Sequence, residues 1–207
     1  MLFRSDRGHR LADFGAYEGW ELVENTFKPY ACCLLTHATV DAARTLSTQL
    51  AGRSIERIEA RVNPLCVQLA GKPAPKTPLE GKFSAAFCAS LGLRGFNASE
   101  ADFSATRLQD AELQELVRRV TLVPVQSISK TAAELSVSFS DGTRIAAQTS
   151  LAKGNPGNPM TWDDLRAKFM PLAQPALGAR ASELFDVLRE FERPGHAARL
   201  VALVAVV

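Results

Sequence analysis

A chain of 207 residues is long enough for one sizeable domain, and with 46% hydrophobic and 22% charged residues it can bury a core, which argues against disorder. A net charge of only +2, with basic residues scattered, gives no electrostatic reason to expect a nucleic-acid partner or an anionic membrane surface. The opening MLFRSDRGHRLADFG has no continuous apolar stretch, so it does not read as a secretory signal. The longest apolar run, Leu200 to Val207, is far too short to span a bilayer. The chain is expected to be soluble and cytoplasmic.

Residues 1–27 read as an entry segment ending in an extended Trp20-Glu21-Leu22-Val23. A helix is expected from Thr36 to about Leu50, with Thr36 as N-cap, Val40, Ala43 and Leu50 at helical spacing, and Gly52 as the stop. From Ile55 to Val62 the period changes to two. Ile58, Ala60 and Val62 face one way and Arg57, Glu59 and Arg61 the other, as in a half-buried strand. The proline-rich stretch Lys72 to Pro78 suits a surface loop leading into a helix from about Glu80 to Leu93. A further helix fits Gln109 to Arg118, with Leu113, Leu116 and Val117 inward.

Ala133, Leu135, Val137 and Phe139 alternate with polar residues, Asp141-Gly142 supplies a turn, and Ile145 and Ala147 resume the alternation. That pattern is a β-hairpin. Gly154 to Pro159 is an irregular loop. Thr161 with Asp164 three residues on forms a capping box before a helix carrying Leu165, Phe169, Leu172 and Ala173. A last helix fits Ala179 to Glu192 and ends at Pro194-Gly195. Without regular βαβ alternation the class is α+β: a mostly antiparallel sheet with packed helices, followed by a helical C-terminal segment.

Few side chains suggest chemistry. Cys32, Cys33, Cys66 and Cys88 match no zinc spacing and read as free thiols. Of three histidines, His9 and His196 have polar or breaker-rich neighbours, whereas His37 falls in the first turn of a helix. The positive end of that helix disfavours an imidazolium, leaving a neutral ring able to accept a proton. Asp41, four residues on, shares its face and could orient it; the competing reading is a histidine that packs or caps the helix start. Lys28, held extended by Pro29, could present an ammonium to a carboxylate. Cys33 is a nucleophile only if its thiolate is stabilised, and nothing local secures that. There is no phosphate loop, dinucleotide fingerprint or Ser-His-Asp arrangement.

Four ordered pieces are similar to the MmgE/PrpD (2-methylcitrate dehydratase) family. They are Trp20-Glu21-Leu22 with Lys28-Pro29-Tyr30-Ala31-Cys32-Cys33, His37 and Asp41-Ala42-Ala43; Gly81-Lys82-Phe83-Ser84; Asp141-Gly142 with Gly154 to Thr161; and Leu165 with Lys168-Phe169. The match covers roughly Trp20 to Glu192 and resembles the family's C-terminal lid (28–158) and final helices (159–207), without its all-helical domain. The resemblance implies a lyase of a small polycarboxylate, working without metal or organic cofactor and commonly as a homodimer. It removes a proton α to a carboxylate, with elimination, decarboxylation or epimerisation following. It also implies His37 as a catalytic acid/base and Lys28, Cys33 and Phe87 in substrate binding, with Phe87 standing where several members have tyrosine. The acid/base histidines of the helical domain have no counterpart here. Two readings therefore stay open: an enzyme half needing a helical partner (a separate chain or a lost one), or a non-catalytic binding or assembly module.

Overall fold

The computed structural model describes residues 24–50 and 52–205, so the expected extended entry Trp20 to Val23 and the placement of His9 fall outside the described residues. The alternation of Ile55–Val62 produces strand β1, and the same period of two produces β3 (Ala133–Phe139) and β4 (Arg144–Thr149). A short β2 (Val120–Pro124) completes a four-stranded sheet in the order β2-β1-β3-β4. β1 and β2 run parallel, while β1/β3 and β3/β4 are antiparallel, so the sheet is mixed and mostly antiparallel. The register places Ile58 opposite Val137, Ala60 opposite Leu135 and Val62 opposite Ala133, all buried on one face. The other face carries solvated charge pairs such as Arg61–Glu134 at 2.8 Å, which add little to stability.

The helices cover the apolar face. α1 (His37–Ser47) lays Ala38, Ala42, Ala43 and Leu46 on the sheet. α2 (Pro64–Ala70) is capped by the Asn63 side chain, which accepts from Leu65 N at 3.0 Å. α3 (Pro78–Lys82) and α4 (Ala85–Leu93) follow, then α5 (Ala105–Leu108) and α6 (Ala111–Arg119), the latter with Leu113, Leu116 and Val117 inward. Every residue of α4 is buried, as suits a helix apolar on all sides. It packs on α1 and α6, with Ala85, Ala89 and Leu93 in the sheet-side core and Tyr30, Val40, Phe87, Leu91, Leu113 and Val117 in a second cluster.

Several boundaries differ from expectation. The helix foreseen over Glu80–Leu93 is two helices, because Ser84 leaves helical geometry to cap α4. Its Oγ accepts from Phe87 N at 3.2 Å and donates to Lys72 O at 2.6 Å. Thr36 is not a side-chain cap for α1: a 3-10 turn (Leu34–Thr36) runs directly into the helix, and the Thr36 hydroxyl turns back to Cys33 O at 2.8 Å. α2 and β2 escaped the sequence reading because each is too short to display a period.

The C-terminal helices are α7 (Trp162–Leu177), α8 (Arg180–Arg189) and α9 (His196–Val204), the last beginning where Pro194-Gly195 was expected only to end a helix. The Thr161–Asp164 capping box forms as read. These helices share a small core of Leu184, Val187 and Leu203 with Phe169, Leu177 and Leu200. No residue of α7 is buried and Leu172, expected inward, is 56% exposed.

α1 and α4 cross closely at Gly92. A Cβ built on Gly92 would lie 2.6 Å from Ala43 Cβ and 3.0 Å from Val40 O. Gly92→Ala should therefore destabilise the protein by about 1–3 kcal/mol through overpacking, although alanine is intrinsically the better helix former. Urea unfolding followed by far-UV circular dichroism checks this; an unchanged midpoint would show that the two helices can part without cost.

Candidate functional site

The loop from Phe27 to Thr36 enters α1 and gathers most of the polar side chains that the sequence singled out. Lys28 is exposed and its Nζ donates to the Cys32 carbonyl at 3.0 Å. The Lys28 carbonyl in turn accepts from Lys168 Nζ of α7 at 2.6 Å. Cys33 is half-buried, with its backbone fully engaged: its N–H donates to Lys82 O at 2.9 Å and its carbonyl accepts from Thr36 N at 2.9 Å. The loop thus brings Lys28, Cys33 and His37 to one turn of chain.

His37 is the first residue of α1, as expected, but it is not on an open surface. Its ring is fully buried, with Nε2 3.4 Å from Cys32 O and the Tyr30 ring edge-on at 5.2 Å between centroids. Nδ1 has no partner. Lys28 and His37 therefore meet the same carbonyl from two sides, one wet and one dry. The loop folds back over the helix start, and that tertiary closure buries the imidazole. Phe87 is also fully buried, its ring 6.0 Å from Phe103, so in this chain it packs the second core cluster rather than facing a ligand.

Asp41 does not orient His37. Its carboxylate accepts from the Tyr30 hydroxyl and, at 2.9 Å, from Lys153 N of the loop after β4. Burial first, and the Asp41 carboxylate second, push the Tyr30 phenol well above its ordinary range. That later loop is itself held on the entry loop: Phe27 N donates to Gly154 O at 2.9 Å. Gly154 is needed there, since its φ is +88° and a Cβ would meet Phe27 O at 1.9 Å. Lys153 Nζ then bonds Asp164 of α7 at 2.7 Å, and this ammonium, with the Thr161 N–H, lowers the Asp164 carboxyl to about 2. Beside these contacts lies an open hollow of about 570 Å³, with Tyr30, Asp41, Arg44, Lys153 and Asn158 on its wall. Tyr30, Lys153 and Asp164 were not foreseen as parts of the site. Their partners lie 11 residues apart or more, with no local pattern to pair them. Among the described residues, no group of three or more His, Cys, Asp or Glu side chains is placed to hold a metal ion.

Residues 30–190 match the MmgE/PrpD C-terminal domain, and the chain belongs to that family, which has lyase members. It is similar to cis-aconitate decarboxylase from Mus musculus, 26% identical over 155 residues, a stretch that covers 69% of this chain but only 31% of the mouse protein. The chain thus spans about a third of the length of that relative.

Tyr30→Phe removes the donor to a part-buried carboxylate and should cost about 1–3 kcal/mol in urea unfolding. A phenol that holds its proton more tightly when folded stabilises the fold fully below its unfolded pKa of about 10, and that contribution is lost as pH rises through the higher folded value. One of the two tyrosines should therefore fail to develop phenolate absorbance near pH 10 and do so only at higher pH or on unfolding. Two tyrosines ionising together near pH 10 in the folded protein would remove this assignment.

Proposed function

We propose that this chain serves as the C-terminal part of an MmgE/PrpD-type lyase acting on a small polycarboxylate, as 2-methylcitrate dehydratases do. In this reading a proton α to a carboxylate is removed and elimination, decarboxylation or epimerisation follows. The observation that carries it is Lys28 on a domain of this family. Its ammonium is exposed and anchored on the Cys32 carbonyl by one of its three protons, which leaves two to meet a carboxylate. The aligned part of the mouse decarboxylase is only 31% of that protein, so the rest of the pocket would come from outside this chain.

The acid/base work belongs, in this reading, to a helical part supplied in trans or by the rest of a longer polypeptide. His37 reaches substrate only if the entry loop lifts from it. Residues 28–158 act as the lid and 159–207 as the segment that packs on the helical part. The apolar side chains left uncovered on the latter suit such docking: Trp162 at 47%, Leu172 at 56%, Phe191 at 49% and Val201 at 63% exposure. A cytoplasmic homodimer working without metal or organic cofactor completes the proposal. A non-catalytic binding or assembly module is the second reading, favoured by the full burial of His37 and Phe87.

Each well-placed acid or base contributes about 10²- to 10⁴-fold, so the chain alone should give no detectable turnover of cis-aconitate, 2-methylcitrate or iminodisuccinate by NMR. With a helical part of a family member supplied in trans, turnover should appear on one of them. Lys28→Ala should lower its kcat/KM by about 10- to 100-fold, the size expected for a lost charge-assisted hydrogen bond. Silence with the helical part bound favours the module. Robust turnover by the chain alone, abolished by His37→Ala, would mean that the catalytic groups lie within these residues after all.

A further inference from the structure

Two cations held on one loop with no carboxylate between them repel each other, and an anion that meets both removes that cost. Among the described residues, Lys72 pairs with Glu80, Lys82 with Glu100 and Lys153 with Asp164. Lys28 and Lys168 are both exposed and have no such partner there. Each ammonium rests instead on a main-chain carbonyl of the entry loop, Lys28 Nζ on Cys32 O at 3.0 Å and Lys168 Nζ on Lys28 O at 2.6 Å. Asp164, one turn before Lys168 on α7, is already engaged by Lys153 Nζ at 2.7 Å and by the Thr161 hydroxyl at 2.8 Å. A neutral acceptor leaves an ammonium its whole charge and two of its three protons. The two carbonyls belong to residues four apart, which span at most about 14 Å in fully extended chain. Here the loop is bent enough for the Lys28 side chain to reach from its own residue to Cys32 O. Two unneutralised ammoniums, separated by 140 residues of sequence, thus stand on one short loop.

We propose that Lys168 is a second carboxylate-binding residue beside Lys28, so that the entry loop and α7 together hold a ligand through two of its carboxylate groups. The assignment rests on the reading of this chain as part of a polycarboxylate lyase, and it adds a binding residue on the C-terminal helices. Lys28 takes one carboxylate and Lys168 another, each through a charge-assisted hydrogen bond. Once the first carboxylate is held, the second contact is made within one complex, so a ligand with two or more carboxylates gains more than twice a single contact. A monocarboxylate meets one ammonium and leaves the other uncompensated. The pair therefore selects for the number of carboxylates on the ligand. The bound anion also bridges α7 to the entry loop, where Lys168 makes its bond to the Lys28 carbonyl.

The test is NMR of the lysine ammonium groups in the isotope-labelled full chain, titrated at constant ionic strength with tricarballylate, butyrate or inorganic phosphate. With tricarballylate the Lys28 and Lys168 signals should move together along one saturation curve, and binding should be tighter than that of butyrate or phosphate. Lys168→Met should weaken tricarballylate by about 3- to 10-fold, as loss of one exposed charge-assisted contact does, and leave butyrate binding at Lys28 unchanged. Lys168→Arg, which keeps the charge, should restore most of the affinity. Should Lys168→Met fail to fold by circular dichroism, the titration of the unaltered chain decides. A Lys168 signal that stays still while Lys28 moves would overturn the proposal and leave Lys28 as the carboxylate contact of the proposed function. Loss of butyrate binding in Lys168→Met would also overturn it, since Lys168 would then act only by positioning Lys28. Equal affinity for tricarballylate and for butyrate or phosphate would remove the two-point contact. No movement of either signal would overturn both this proposal and the role given to Lys28.

Discussion

The entry loop, α1 and the loop after β4, the last more than a hundred residues on in the chain, meet at the carboxylate of Asp41. It stands on the first turns of α1 and accepts the Tyr30 hydroxyl from the entry loop on one oxygen and the Lys153 N–H from the loop after β4 on the other. Through Lys153 the connection continues to Asp164 on α7, and through Tyr30 it reaches the loop that carries Lys28. Asp41 thereby holds α1 to the entry loop and to the loop after β4, and Lys153 carries the connection on to α7. A charged acceptor with two donors is worth more than neutral hydrogen bonds, and leaving either donor or acceptor alone at a part-buried position costs more than the bond itself contributes. The placement of Lys28 follows from this junction and from the second contact that Lys168 makes with the Lys28 carbonyl.

The turn at Cys32 is the chemically dense part of the protein. Its carbonyl receives Lys28 from solvent and faces His37 from the interior, and its sulfur receives the Thr36 hydroxyl. Polar groups concentrated in a dry site are held in few arrangements, because each alternative leaves a donor or acceptor unpaired. The unpartnered His37 Nδ1 is the exception.

The C-terminal helices obey a different balance. α7 contains Pro171 and Pro175 and buries none of its residues, and among the described residues its core is shared with α8 and α9. Interior prolines each remove a helix hydrogen bond, and with so little apolar area buried the segment gains modestly from its own packing. Its polar anchors to the body, Lys168 to the Lys28 carbonyl and Asp164 to Lys153, hold its position without covering its apolar side chains.

Local patterns were enough to read β1, the β3–β4 hairpin, α6 and the capped start of α7, since each depends on a period of apolar residues or on a cap within four residues of chain. The order of the pieces around Lys28, Gly81 to Ser84 and Gly154 to Thr161 likewise pointed to the family that the comparison bears out. Short elements such as α2 and β2 could not be read, because neither is long enough to show a period. Burial at the site was equally out of reach. His37 could be assigned to the start of α1 from its neighbours, but whether its ring met water depended on the entry loop folding back over it. Phe87 looked like a substituted site residue until α1 and α6 closed around α4. Asp41 appeared to belong to His37 by helical spacing, yet it bonds Tyr30 and Lys153, the latter 112 residues away. Sequence spacing decides which side chains share a face of one element; which of them share a site is decided by how separate elements pack, and that depends on burial and hydrogen bonding summed over the whole chain.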